Sequence, residues 1–131
     1  MNTSKTYQFL KMHGLGNDFV IFDIRNHDLN LSEAQVRTIT NRKRGIGCDQ
    51  LILLRASKQA NVFMEIRNAD GTRVEACGNA TRCVGQIILD ETALDIVSIE
   101  TDAGLLSAKK SLLGISVNMG PANIQWQDIP L

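Results

Sequence analysis

Apolar residues fall along the chain in short blocks separated by clusters of turn formers, and the period of those blocks changes twice. Positions 7–12 and 19–24 are short, aromatic and β-branched, and Gly14-Leu15-Gly16-Asn17-Asp18 lies between them, which predicts two strands joined by a loop. Ser32-Glu33-Ala34-Gln35 then reads as a capping box, with Ser32 as N-cap and Gln35 reaching back to it. Ala34, Val36, Ile39 and Thr40 follow at roughly helical spacing. A helix over 33–42 is expected, stopped by Gly45 and Gly47, with strands after it over 50–55 and 62–67.

Asn68-Ala69-Asp70-Gly71 has the composition of a tight turn, because Asn, Asp and Gly tolerate left-handed backbone angles. A longer helix is predicted over 77–91, where Ala80, Cys83, Val84, Ile87 and Ile88 fall at the spacing of one buried stripe. With Cys77 at the origin and a step of about 100° per residue, Val84 and Ile88 lie about 20° to either side of it. Cys77 is therefore expected in the first turn, at the edge of the buried face. The period then returns to two: 96–101, 105–109 and 113–119 alternate as strands, with Ala103-Gly104 and Ser111 near the reversals. Positions 120–131 are polar and irregular and read as a linker. Strands with one amphipathic helix and one long helix make an α+β domain.

Composition narrows the function classes. The chain has 131 residues, one domain's worth, and 14 Lys plus Arg balance 14 Asp plus Glu. A protein that binds nucleic acid by neutralising phosphates carries a basic surplus, and none is present. A hydrophobic fraction of 44% with zero net charge excludes a disordered chain. The longest apolar runs, 19–22 and 51–54, are four residues each, so no membrane-spanning helix is expected. Positions 1–14 alternate polar and apolar residues without the apolar core of a secretory signal, and a cytoplasmic location is expected. The three cysteines, Cys48, Cys77 and Cys83, read as free thiols rather than a disulfide framework, and with His13 and His27 they show no metal-ligand spacing.

Cys77 at the head of a helix has two readings. It is a small hydrophobe on the edge of the stripe, or it is a reactive thiol. Helix N-termini present unpaired N–H groups and partial positive charge, which stabilise a thiolate and bind a carboxylate. In the second reading Gly78 lets a ligand approach the backbone and Asn79 offers an amide. Cys48 and Cys83 read as buried structural thiols, His13 as a loop-orienting group, Asp70 and Gly71 as turn residues. Arg82 lies on a solvated face or pairs with a carboxylate.

Three blocks in order carry a resemblance. His13-Gly14-Leu15-Gly16-Asn17-Asp18-Phe19-Val20 is the first, and Arg44-Gly45-Ile46-Gly47-Cys48-Asp49-Gln50 the second. The third is Asn68-Ala69-Asp70-Gly71-Thr72 with Cys77-Gly78-Asn79-Ala80-Thr81-Arg82-Cys83. Together they resemble the signature blocks of diaminopimelate epimerases. The resemblance implies one lobe of a two-lobed fold, in which a mixed, largely antiparallel, barrel-like sheet wraps a central helix. Positions 1–118 would form the amino-terminal lobe and 119–131 an interlobe linker or the start of a second lobe.

The family resemblance also implies the chemistry. Such enzymes interconvert LL- and meso-diaminopimelate, on the route to lysine and peptidoglycan, without pyridoxal phosphate or metal. One cysteine acts as thiolate base and a second as thiol acid on opposite faces of the α-carbon. Cys77 would be one of that pair; Asn17, Gln50 and Asn68 would hold polar groups of the substrate, and Gly78 and Asn79 its α-carboxylate. Two departures stand out: Ala80 occupies a position that is often glycine, and family members are about twice as long, with the second cysteine in the other half. The chain is accordingly expected to be half a site and inactive alone. The alternatives are a symmetric pair of such lobes with racemase activity and a non-catalytic binding module that keeps the fold.

Overall fold

Strands that begin and end in the same apolar run need cover on both faces, and this chain supplies it with two helices. The structure, a computed structural model, describes residues 6–27 and 29–119. In chain order the elements are β1 (Phe9–His13), β2 (Asp18–Asp23), α1 (Glu33–Thr40), β3 (Gln50–Arg55), β4 (Val62–Asn68), β5 (Arg73–Val74), α2 (Gly78–Thr92), β6 (Ile96–Thr101), β7 (Gly104–Ser111) and β8 (Gly114–Asn118). The strands form one sheet in the order β1-β2-β3-β4-β6-β7-β8, with β5 paired to β4. The pairs β2–β3 and β4–β6 are parallel and the other five are antiparallel.

Each parallel pair requires a crossover, and a helix provides it: α1 lies between β2 and β3, α2 between β4 and β6. Because β4 antiparallels β3, the two crossover units run in opposite directions. Crossovers of one hand then put the two helices on opposite faces of the sheet. Side chains alternate accordingly. Val20, Phe22, Leu51 and Leu53 point to the α1 side, where Val36 and Cys48 join them. Phe19, Ile21, Ile52, Leu54, Met64 and Ile66 point to the α2 side.

The sheet curls around α2, so that residues of β2, β3, β4, β6 and β7 share one cluster with it, edged by Ile115 and Val117 of β8. This wrapping makes the buried face of α2 broader than a single stripe: Thr81, Gly85 and Leu89 are buried along with Ala80, Cys83, Val84 and Ile88. Gly85 faces Ala108 so closely that a Cβ there would lie 2.5 Å from the Ala108 Cβ. The α+β, barrel-like, largely antiparallel architecture expected from the sequence is the one observed.

Several boundaries differ. The capping box forms as expected, with Gln35 N donating to Ser32 Oγ at 3.1 Å and Ser32 N donating to Gln35 Oε1 at 2.9 Å. The helix stops at Thr40 rather than 42, because Asn41 turns extended and its Oδ1 accepts from the backbone of Lys43 and Arg44. Cys77 is the N-cap of α2 rather than a residue of its first turn. The two-residue β5, too short to show any alternation, has no counterpart in the sequence reading. Positions 120–131 of the expected linker lie outside the described residues.

Candidate active site

The register of the sheet brings distant polar residues to one end. Strand β2 starts beside β3, with Phe19 opposite Gln50, and β4 finishes on the other side of β3, with Asn68 opposite Gln50. Asn17 immediately precedes β2. All three therefore sit at the same edge, from which the chain passes through β5 into the N-terminus of α2. There Asn79 Nδ2 donates to Asn17 Oδ1 at 2.8 Å and to the Leu15 carbonyl at 3.0 Å. Gln50 Nε2 donates to Asn68 Oδ1 at 3.2 Å. Gln50 Oε1 is buried and has no hydrogen-bond partner among the described residues.

The Asn68 turn is held from behind. Asn68 Nδ2 donates to Thr72 Oγ1 at 3.3 Å, and Thr72 Oγ1 donates to Asp70 Oδ1 at 2.6 Å. Those Thr72 bonds hold the Asp70 carboxyl below its usual range. From α1, Thr40 Oγ1 donates to the Ala69 carbonyl at 3.0 Å and Arg37 donates to the Asp70 carbonyl at 3.2 Å. Gly71 completes the turn with φ of 95°, and a Cβ there would lie 2.7 Å from Glu33 Cα.

Cys77 caps α2 with extended backbone (φ −152°, ψ 122°), and its side chain makes no capping hydrogen bond. Its carbonyl accepts from Thr81 N at 2.9 Å and Thr81 Oγ1 at 2.8 Å, the first bonds of the helix. The N–H groups of Gly78, Asn79 and Ala80 precede that first bond and have no intrahelical acceptor. No acidic residue occupies the first turn. No side chain of the first turn offsets the partial positive charge of the helix end. Gly78 does not have positive φ, and a Cβ there would meet nothing within 4 Å. Neither backbone conformation nor packing within this chain explains a glycine at a helical position.

The other two thiols are inert by placement. Cys48 is 2% exposed and Cys83 6%, and burial pushes both thiols up from their ordinary value. Cys77 is half-buried, His13 and Arg82 are exposed. A depression of about 350 Å³ beside the β1–β2 loop is lined by His13, Asn17, Asp18, Arg42 and Asp49 with Gly14 and Gly16. Cys77, Gln50 and Asn68 lie outside it.

Sequence reasoning missed an ionic cluster next to these residues. Arg42 grips buried Asp18 with two hydrogen bonds, at 2.9 and 2.8 Å, and reaches Asp49 at 3.0 Å. Lys11 Nζ lies 3.3 Å from Asp18. The Arg42 bonds hold the Asp18 carboxyl far below the usual range against the opposing effect of burial. Asp18 and Asp49 both sit inside the quoted blocks, yet 31 positions separate them and no local pattern joins them.

Comparison with known proteins places this geometry. The family model described as diaminopimelate epimerase matches residues 9–125. The diaminopimelate epimerase of Acidiphilium cryptum is 50% identical over 124 residues, covering 94% of this chain and 45% of that protein. The diaminopimelate epimerase of Zymomonas mobilis is 50% identical over 127 residues, 96% of this chain and 45% of that protein. The chain spans about half the length of the curated relatives it matches. Among solved structures, a phenazine biosynthesis protein of the PhzF family from Enterococcus faecalis superposes with a TM-score of 0.61 at 15% identity, over 81% of this chain and 41% of that one. A hydroxyproline epimerase from Agrobacterium vitis, solved with trans-4-hydroxy-L-proline, also gives 0.61, at 18% identity over 85% of this chain and 40% of that one. At those identities the structures share the fold.

Proposed function

Because this chain belongs to the diaminopimelate epimerase family, we propose that it forms one half of an active site that interconverts LL- and meso-diaminopimelate by proton transfer through two thiols. Cys77 supplies one thiol. The other comes from a second lobe, and the two face opposite sides of the substrate α-carbon. In one direction a thiolate takes the α-proton, and the opposing thiol gives its own proton to the other face. The configuration inverts and the two sulfurs exchange protonation states.

The α-carboxylate rests on the N–H groups of Gly78 and Asn79. There the helix end offsets the negative charge that otherwise resists loss of the α-proton. Gly78 then has its reason, since a side chain at that point would stand between the backbone and the carboxylate. Asn17, Gln50 and Asn68 hold the remaining polar groups, with Gln50 Oε1 as an open acceptor for a ligand N–H. The setting of this reading is the bacterial cytoplasm, on the route to lysine and cell-wall peptide.

The observation that carries the proposal is the uncapped thiol at an acid-free helix end, beside the Asn79–Asn17 pair. Titration of the ¹⁵N-labelled chain with diaminopimelate in ordinary water, with a parallel incubation in deuterium oxide that reads α-proton exchange and inversion, tests it. Shifts at the Gly78 and Asn79 amides without stereoinversion are expected. Inversion at the rate of a full-length relative would overturn the half-site reading, and unmoved Gly78, Asn79 and Asn17 signals at millimolar ligand would overturn the substrate reading.

A further inference from the structure

The parallel β2–β3 ladder ends at Phe19 and Gln50, so Asn17 and Gln50 stand where strand ends fray. A side-chain lock closes that end. Asp18 N donates to Asp49 Oδ2 at 3.0 Å, and Asp49 N donates back to Asp18 Oδ1 at 2.8 Å. One Nη2 of Arg42 bonds both carboxylates, at 2.8 and 3.0 Å. Asp18 follows Asn17 directly and Asp49 precedes Gln50 directly, so fixing the two aspartates fixes the two amide side chains beside them.

The loop that delivers Arg42 is shaped for that placement. A Cβ on Gly45 would lie 2.1 Å from the Thr38 carbonyl oxygen. Gly47 has φ of 84°, and a Cβ there would lie 3.0 Å from Arg42 Cα. The two glycines fold the segment after α1 back on itself, with Ile46 N and Gly47 N both donating to the Ile39 carbonyl, at 2.9 and 3.1 Å. The Arg42 side chain is 55% exposed. The Asp18 side chain it grips is only 11% exposed, and the planar fork of the guanidinium is suited to spanning two carboxylates at fixed angles.

We propose that Arg42 is a positioning residue. By clamping Asp18 and Asp49 it holds Asn17 and Gln50 as one rigid unit, and through Asn17 it sets the Asn79 side chain at the head of α2. Its value to ligand binding rests on the substrate reading above; the clamp itself does not.

The test is ¹⁵N NMR on the full chain carrying Arg42→Ala or Arg42→Lys, with Arg25→Ala as control. Arg25 makes a similar fork to Asp23 and Glu91 elsewhere in the fold. In Arg42→Ala, hydrogen exchange at the Asp18 and Asp49 amides is expected to rise at least about tenfold, and the Asn79 and Gln50 side-chain amides to shift. Arg42→Lys, which keeps the charge without the fork, should restore these only in part, and it serves as the readable variant if Arg42→Ala does not fold. Arg25→Ala should change the melting temperature without touching those signals. Wild-type exchange and shifts in both Arg42 variants, or equal effects from Arg25→Ala, would overturn the proposal. Diaminopimelate added to the same samples separates the two readings. Binding weakened about tenfold or more in Arg42→Ala alone supports both. Absence of binding in the wild type, with the Arg42 effects intact, overturns only the substrate reading.

Discussion

Asn79, on the first turn of α2, donates its side-chain amide to Asn17 Oδ1 at 2.8 Å across 62 positions of sequence. The contact joins the β1–β2 loop to the head of the helix, two residues after Cys77. Gly14 permits the approach: a Cβ there would lie 3.2 Å from Asn79 Cβ and 3.3 Å from the Phe19 ring. Within the loop, Gly14 N donates to the Asn17 carbonyl at 2.8 Å.

Replacing Asn79 with Ala should cost about 1 kcal/mol, the usual net value of a hydrogen-bonded side chain. The fold is expected to survive and the loop to loosen. Amide exchange at Gly14 should speed up while exchange in β3 and β4 stays put; unchanged Gly14 protection would contradict the role assigned to the pair.

Gly78→Ala should move stability and binding in opposite directions. Alanine is the better helix former, by up to about 1 kcal/mol and less at a first-turn position, and the site has open space for its Cβ. Thermal melts should show a small gain. Calorimetric titration with diaminopimelate should show a loss, because the new methyl would stand over the N–H groups proposed to bind the carboxylate.

Iodoacetamide should mark one thiol in the folded chain and three after denaturation, as counted by intact mass. Cys77 is the half-buried thiol, while Cys48 and Cys83 are buried and their thiols are pushed up by desolvation. Rapid modification of Cys48 or Cys83 under native conditions would show that the two core clusters open readily.

Acid should destabilise the fold through Asp18 and Glu65. Burial alone would raise Glu65, but hydrogen bonds from Arg67 and Arg55, at 2.8 and 2.9 Å, hold it below its ordinary value. Asp18 is lowered likewise by Arg42. Carboxyls depressed in the folded state contribute stability above their unfolded values, near about 4, and lose it as pH falls through the folded values. Denaturant midpoints should therefore be flat from about pH 5 to 8 and fall below about pH 4. Glu65→Gln should cost about 3 kcal/mol at neutral pH, because it leaves the partly buried Arg55 and Arg67 without their shared anion, and should flatten the acid limb.

Ala93 ends α2 in the left-handed region, with φ of 58°, and its N–H donates to the Leu89 carbonyl at 3.1 Å. Glycine adopts that conformation without strain. Ala93→Gly is expected to raise stability by about 1 kcal/mol, seen as a melting point higher by about 3–5 °C.

Much of this architecture is legible in the chain itself. Local signals were enough for the capping box at Ser32, the strands at 50–55 and 96–101, the stripe of α2 and the burial of Cys48 and Cys83. Each depends on neighbours within a few residues, where periodicity and capping chemistry act. The blocks containing Asn17, Gln50, Asn68 and Cys77 also carried a resemblance to the family to which the chain belongs.

What the chain could not disclose by itself is how those blocks meet. The Asn17–Asn79 bond, the Gln50–Asn68 pair and the Arg42 clamp on Asp18 and Asp49 join residues 62, 18 and up to 31 positions apart. They exist because two oppositely directed crossovers fold the sheet so that β2 and β3 begin where β4 ends. The breadth of the buried face of α2 has the same origin, since only a sheet already curled around the helix can cover Thr81, Gly85 and Leu89. Periodicity reports which side of an element avoids water, and it carries no information about which strand ends share an edge. That is settled by register and crossover hand, and with them the edge where Asn17, Gln50 and Asn68 stand near the head of α2.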